Sequence, residues 1–225
     1  MQNSIRHFDL LAPDYDTLSK AHKWYAPEAL FGLTYQFKSR GQTLLDMGIG
    51  TGQSSALDHK AGLKIYGIDG SQAMLDVCAK KAIAIKLVHY DFASKKRFPF
   101  KKGMFDHVIS CGVFNFFEDL DKFFKEAQRL LRQRGIFAFT VEDPKIGYDL
   151  KYTNYDNDLM TERIIDKVGV EVFRHPEFYI QELALKYGFN LLRTFQYLAY
   201  HSPTESKDIF YKQYVFFKDE RAIKI

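Results

Sequence analysis

From residue 43 onward, short apolar runs alternate with segments whose apolar residues recur at helical spacing. TLLDMG (43–48) precedes TGQSSALDHK, LKIYGID (63–69) precedes SQAMLDVCAKK, and IKLVHYD (85–91) precedes a basic loop. FDHVISCG (105–112) precedes EDLDKFFKEAQRLLRQRG, and GIFAFTVED (135–143) follows it. Strand and helix repeated in this order predict a parallel sheet with helices on its faces. The spacing of Leu120, Phe123, Phe124, Ala127, Leu130 and Leu131 predicts a helix over 118–135, ended by Gly135 in the left-handed conformation. The runs on either side are nearly all apolar, as strands covered on both faces must be.

Upstream, residues 5–40 carry Ile5, Phe8, Leu11, Leu18, Trp24, Leu30 and Phe31, which predicts one or two amphipathic helices able to pack over the sheet as a lid. Downstream, 144–174 is polar, tyrosine-rich and without a clear period, and reads as an insertion. HPEFYIQELALKYG (175–188) reads as a helix stopped by Gly188. FNLLRTFQYLAY (189–200) and DIFYKQYVFFK (208–218) read as two strands, paired antiparallel because the connection between them is short. At 225 residues the chain suits one domain with four parts: a lid (1–40), a core (41–143), an insertion (144–174), and a helix with a hairpin (175–225).

Composition changes this picture little. The chain is 46% hydrophobic and 27% charged, which fits a soluble globular protein, and a net charge of +4 demands no nucleic-acid partner. The 21 Phe and 14 Tyr are the unusual feature; core filling is the simpler use, and a pocket for a flat or greasy ligand is the other. Cys78 and Cys111 are too few for a disulfide framework or a zinc cluster, and no metal site is expected. No run is apolar enough to span a membrane and the N-terminus lacks signal-peptide features, so a cytoplasmic protein is expected. The loop SKKRFPFKK (94–102) interleaves cations with aromatics; a solvated connection is the better reading, and an RNA or anionic ligand the alternative.

The chemistry concentrates where the first strand breaks into Gly48, Gly50 and Gly52. A strand running into glycines and then a helix lets bare backbone approach a ligand at the carboxyl ends of parallel strands. The spacing is not that of the dinucleotide fingerprint, whose third glycine stands three residues after the second. Asp46, two residues before the first glycine, would repel a pyrophosphate and attract a cationic ligand.

LLDMGIGTG resembles the first motif of the class I S-adenosylmethionine-dependent methyltransferases. The resemblance implies a three-layer α/β sandwich around a Rossmann-like, seven-stranded, mostly parallel sheet with an antiparallel last strand. It also implies S-adenosylmethionine as cofactor and Asp46, Gly48, Gly50 and Gly52 as part of its site. In YGIDGSQAML it implies Asp69 on the ribose hydroxyls, with Gly70 and Met74 beside it; a carboxylate has the two acceptor oxygens a vicinal diol needs. In VHYDFAS it implies Asp91 on the adenine amino group and Phe92 against the ring. FDHVISCGVFNF is similar to the fourth strand and its loop, which places Cys111 at the pocket. FDLLAPDYD is similar to the segment of type 11 and type 12 small-molecule methyltransferases in which a tyrosine like Tyr15 approaches the methionine carboxylate.

The loop SCGVFNF lacks the Asn/Asp-Pro-Pro-aromatic motif of amino-methylating DNA and glutamine enzymes. Cys111 lacks the preceding proline of cytosine C5 enzymes, and no paired-glutamate loop of arginine methyltransferases is found. The expected partner is therefore a small-molecule acceptor, with Phe114, Phe116 and Phe117 pointing weakly to an aromatic or lipid-like one. His7, His22, Tyr25, Glu142, His175 and His201 are candidate bases by location only, and none is assigned. A binding protein without turnover, a nicotinamide-dependent oxidoreductase and an RNA methyltransferase remain as alternatives.

Overall fold

A computed structural model describes residues 2–143, 162–165, 170–202 and 207–219. Its centre is a seven-stranded sheet in the order β3-β2-β1-β4-β5-β9-β8. The strands are β1 (Thr43–Met47), β2 (Lys64–Asp69), β3 (Ala84–His89), β4 (Phe105–Ser110), β5 (Leu131–Glu142), β8 (Phe189–Ser202) and β9 (Lys207–Lys218). β1 to β5 pair in parallel, whereas β9 runs antiparallel to both β5 and β8. A separate antiparallel hairpin, β6 (Glu162–Ile165) and β7 (Glu171–Arg174), closes the stretch expected to be an insertion; the rest of that expectation falls outside the described residues.

Side chains alternate across each strand and sort into two apolar layers. Leu45, Phe137 and Phe139 join one layer, with Phe123, Phe124 and Leu130 of helix α6 (Asp121–Leu130) and Ile180 and Leu183 of helix α7 (Glu177–Lys186). Their neighbours Leu44, Ile136 and Ala138 join the other, with Leu30 of α3 (Ala26–Thr34) and Leu75 and Cys78 of α5 (Gln72–Lys80). Most of the aromatic excess fills the first layer: Phe139 stacks on Tyr214 and Phe216, and Phe124 meets Phe137, Phe189 and Phe216 edge-on. α4 (Gln53–Lys60) follows the glycines.

Two expectations need correction. Helix α6 stops at Leu130 rather than at Gly135, because Leu131 is taken up as the strand partner of Phe105. The left-handed residue is Arg134 (φ 63°), inside β5 where its register with β4 shifts, while Gly135 is required for closeness: a Cβ there would lie 3.0 Å from the Asp106 carbonyl oxygen. The N-terminal segment holds three α-helices, not one or two: α1 (Gln2–Leu11), α2 (Tyr15–Ala21) and α3. Pro13 and Asp14 separate the first two, and Pro27 sits in the first turn of the third, as expected of a residue that cannot continue a preceding helix.

Candidate functional site

β1 lies between β2 and β4, so the chain's path along the sheet reverses direction there, and a crevice forms beyond the carboxyl ends of those strands. A cavity of about 830 Å³, mouth included, occupies that place. Its floor and one wall come from the residues after β1, β2 and β4; its roof comes from Ser4, Ile5, Phe8 and Tyr15 of the N-terminal helices, with Trp24 and Pro27.

The three glycines have three different reasons to be bare. Gly50 (φ 52°) lines the cavity, and a Cβ there would meet nothing within 4 Å, so its missing side chain leaves space for a ligand. At Gly48 (φ 82°) a Cβ would lie 2.3 Å from Val113, so that glycine lets the loop after β4 close in. Gly52, the residue ahead of α4, faces away from the cavity, where a Cβ would fall 2.5 Å from Ile83 Cδ1 and 2.8 Å from Cys78 Sγ.

Asp69 ends β2 at the cavity wall. The Gly50 amide donates to its Oδ2 at 2.7 Å and the Ser71 amide to its Oδ1 at 2.8 Å. Burial pushes the carboxyl above its usual range, against the opposing effect of those amides. Each oxygen still has acceptor capacity for a hydroxyl. Ser71 caps α5, its hydroxyl accepting from the Met74 amide at 3.1 Å, and thereby places Met74 and Gly70 on the same wall. Phe92 and Cys111 complete the lining predicted from the sequence. Burial lifts the Cys111 thiol far above its ordinary value and pushes the Tyr15 phenol up to about 12. Both groups face the cavity uncharged.

Three predicted site residues lie outside the lining. Asp46 is fully buried behind the loop, where its Oδ2 accepts from Ser54 Oγ at 2.5 Å and Ser55 Oγ at 2.7 Å; burial pushes it up to about 7. Gly52 packs against Cys78, as above. Asp91 is exposed, and its Oδ1 accepts from the Ala93 amide at 2.8 Å. Of the candidate bases, His7, His22, Tyr25, Glu142 and His175 also stay outside the lining. Glu142 pairs with Arg174 at 2.7 Å in the protein interior, and burial lowers His175 to about 4. The side chain of His201 lies outside the described residues. Phe114 belongs to the core, packed at tilted angles among Phe123, Phe137 and Phe139, and of the three only Phe116 and Phe117 reach the cavity.

Sequence reasoning missed the polar frame around this cavity. Thr51, Gln53 and Ser71 are involved in it, and so is Asp16 on the lid, which accepts from Thr51 Oγ1 at 2.6 Å and Gln53 Nε2 at 2.8 Å. The signal was present, since Asp16 belongs to the quoted FDLLAPDYD and Thr51 to the glycine stretch, but pairing across 35 residues leaves no periodic trace. Phe92, Phe116 and Phe117 also border a second hollow of about 700 Å³, open to solvent, whose far side includes Glu118 and Phe173. Among the described residues no helix is long and apolar enough to cross a membrane, and no group of three or more potential ligands could hold a metal.

Comparison with known proteins bears on the fold and the family. Residues 45–139 match the model of the methyltransferase domain family. The chain is similar to the sarcosine/dimethylglycine N-methyltransferase of Halorhodospira halochloris, 31% identical over 62% of this chain and 49% of that protein. It is also similar to the malonyl-[acyl-carrier protein] O-methyltransferase of Legionella pneumophila, 29% identical over 64% of this chain and 51% of the other. Across the first curated relatives, the chain spans from 26% to 58% of their length. In three dimensions it resembles a SAM-dependent methyltransferase from Methanosarcina mazei, with a TM-score of 0.66 at 14% identity over 83% of this chain and 96% of that one.

Proposed function

We propose that this chain, whose residues 45–139 match the methyltransferase domain family, is a class I S-adenosylmethionine-dependent methyltransferase that transfers a methyl group from S-adenosylmethionine to a small-molecule acceptor. One observation carries the reading: a single cavity gathers Gly50, Asp69, Phe92 and Tyr15, four positions far apart in the chain, at the sheet's topological switch point. When bound, S-adenosylmethionine supplies a methyl group on a sulfonium, open to in-line displacement.

The chain's own residues bind and orient. Asp69 accepts from the two ribose hydroxyls, and Met74 and Phe92 pack the adenine. The protonated Tyr15 phenol donates to the methionine carboxylate. Phe8, Trp24 and Phe116 keep water from the reacting centre, where aligned approach supplies much of the rate. Asp46 acts behind the loop, through Ser54 and Ser55. Asp91, whose carboxylate is turned to Ala93, contributes less than Asp69. The acceptor approaches from the side of Phe116 and Phe117, where the second hollow opens. A small molecule suits the site better than RNA because Phe98 and Phe100, the aromatics of the basic loop, are buried and offer no stacking face. The protein works in the cytoplasm on this reading, with Cys78 and Cys111 as free thiols.

The test is incubation with methyl-labelled S-adenosylmethionine and a cell extract split into small-molecule and macromolecular fractions. Label is expected in an extractable small molecule. Label confined to RNA or protein, or to neither fraction, contradicts the reading.

A further inference from the structure

The cavity is closed by two halves that the sequence keeps apart. One half is the sheet with its glycine loop, and the other is the α1–α2 lid that supplies Ser4, Ile5, Phe8 and Tyr15. A ligand held between them touches both, so the contacts that join the halves bear on how readily it exchanges.

Some of those contacts are apolar. Phe8 meets Phe116 edge-on at 5.2 Å, and Ile5 lies over Gly70. Three of the polar ones converge on a single carboxylate. Asp16 accepts from Thr51 Oγ1 on the glycine loop, from Gln53 Nε2 at the start of α4, and from Lys81 Nζ just beyond α5. One turn further along α2, Ser19 Oγ donates to Gln53 Oε1 at 2.9 Å, so the same helix face is held at two points. The arrangement also suits α4. Gly52 ahead of it has no side chain to cap the helix, and Asp16 brings a negative charge to that end.

Asp16 directly follows Tyr15, the lid's aromatic wall of the cavity. The carboxylate that grips the glycine loop therefore also fixes where that ring stands. Thr51, its partner, is only 1% exposed, so losing the acceptor would strand a buried hydroxyl rather than release it to water. A second contact, Ser71 Oγ to Asp9 Oδ1 at 2.5 Å, ties α1 to the cap of α5 but engages one hydroxyl alone.

We propose that Asp16 is a positioning residue: it latches the α1–α2 lid onto Thr51, Gln53 and Lys81, sets Tyr15 over the cavity, and controls how long the bound nucleoside stays. The inference rests on the cofactor reading above, since it needs a ligand in that cavity.

The experiment uses S-adenosylhomocysteine as the probe and Trp24 as the reporter, for Trp24 is the single tryptophan and lines the cavity. Stopped-flow displacement is expected to give a dissociation rate about tenfold or more faster in Asp16→Ala, from loss of three hydrogen bonds to a charged acceptor. Lys81→Met is expected to give a smaller increase, and the double variant no more than Asp16→Ala alone, because both act through one carboxylate. Unchanged dissociation in Asp16→Ala, or effects of the two substitutions that add in full, overturns the latch even if the ligand-free melting temperature falls. Amide exchange on the ligand-free protein gives a separate readout: faster exchange over residues 2–21 in Asp16→Ala is expected, and unchanged exchange there contradicts the latch. A wild-type protein that fails to bind S-adenosylhomocysteine counts against the cofactor reading, while the exchange result still decides whether Asp16 holds the lid.

Discussion

Asp46 is a motif residue that the fold keeps out of the cavity lining. Its carboxyl sits at the end of β1 with no exposure, held by two hydroxyls from the first turn of α4, and its Oδ1 has no hydrogen-bond partner among the described residues. Burial raises it to about 7, whereas an unfolded chain would give about 3.9. The sign follows. Between those values the folded protein holds a proton that the unfolded chain releases, so this group's contribution is full below about pH 4 and is lost as pH rises through 7. Asp46→Asn keeps an acceptor for the serines and removes the titration. Urea unfolding at pH 5 and pH 8 is therefore expected to show the variant losing less stability than wild type on going up in pH, by about 1 kcal/mol or more. Parallel losses in the two proteins would mean that Asp46 is not protonated in the fold.

At the scale of elements, the N-terminal part of the chain and the helix after the glycines are joined a second time, deep in the interior. Lys38, just after the N-terminal helical segment, places Nζ 2.6 Å from Asp58 Oδ1 on α4, and both side chains are about 2% exposed or less. Breaking one partner of such a pair leaves an uncompensated buried charge. Lys38→Met is expected to lower unfolding stability by about 3 kcal/mol, and adding Asp58→Leu to recover most of it, as read from chemical denaturation. A Lys38→Met protein as stable as wild type would contradict the pairing. This contact also shows why parts of the architecture were not legible beforehand. The strands and their order of appearance could be read because period and apolarity are local properties. The helix end at Leu130 could not, because Leu131 extends the helical stripe and only its pairing with Phe105 across β4 removes it from the helix. The extra N-terminal helix, α2, was hidden for a different reason: it has no buried residue and so carries no apolar stripe to read.

On the scale of the whole molecule, the fold brings motif and lid to one cavity, and the sequence carried about half of that. Gly50, Asp69, Met74 and Phe92 were legible because they stand at strand ends or on a helix start, where ligand chemistry and local geometry coincide. Ser4, Ile5, Phe8 and Trp24 were not legible as site residues, since an amphipathic helix shows which face is apolar but not whether that face meets a core or a ligand. The central claim is that this cavity holds S-adenosylmethionine through Asp69. Calorimetry with S-adenosylmethionine tests it most directly, run on wild type and Asp69→Ala with NAD titrated in parallel. One site per chain in the wild type, most of the affinity lost in Asp69→Ala and no binding of NAD are expected; equal affinity in the two proteins, or binding of NAD in place of S-adenosylmethionine, would contradict it.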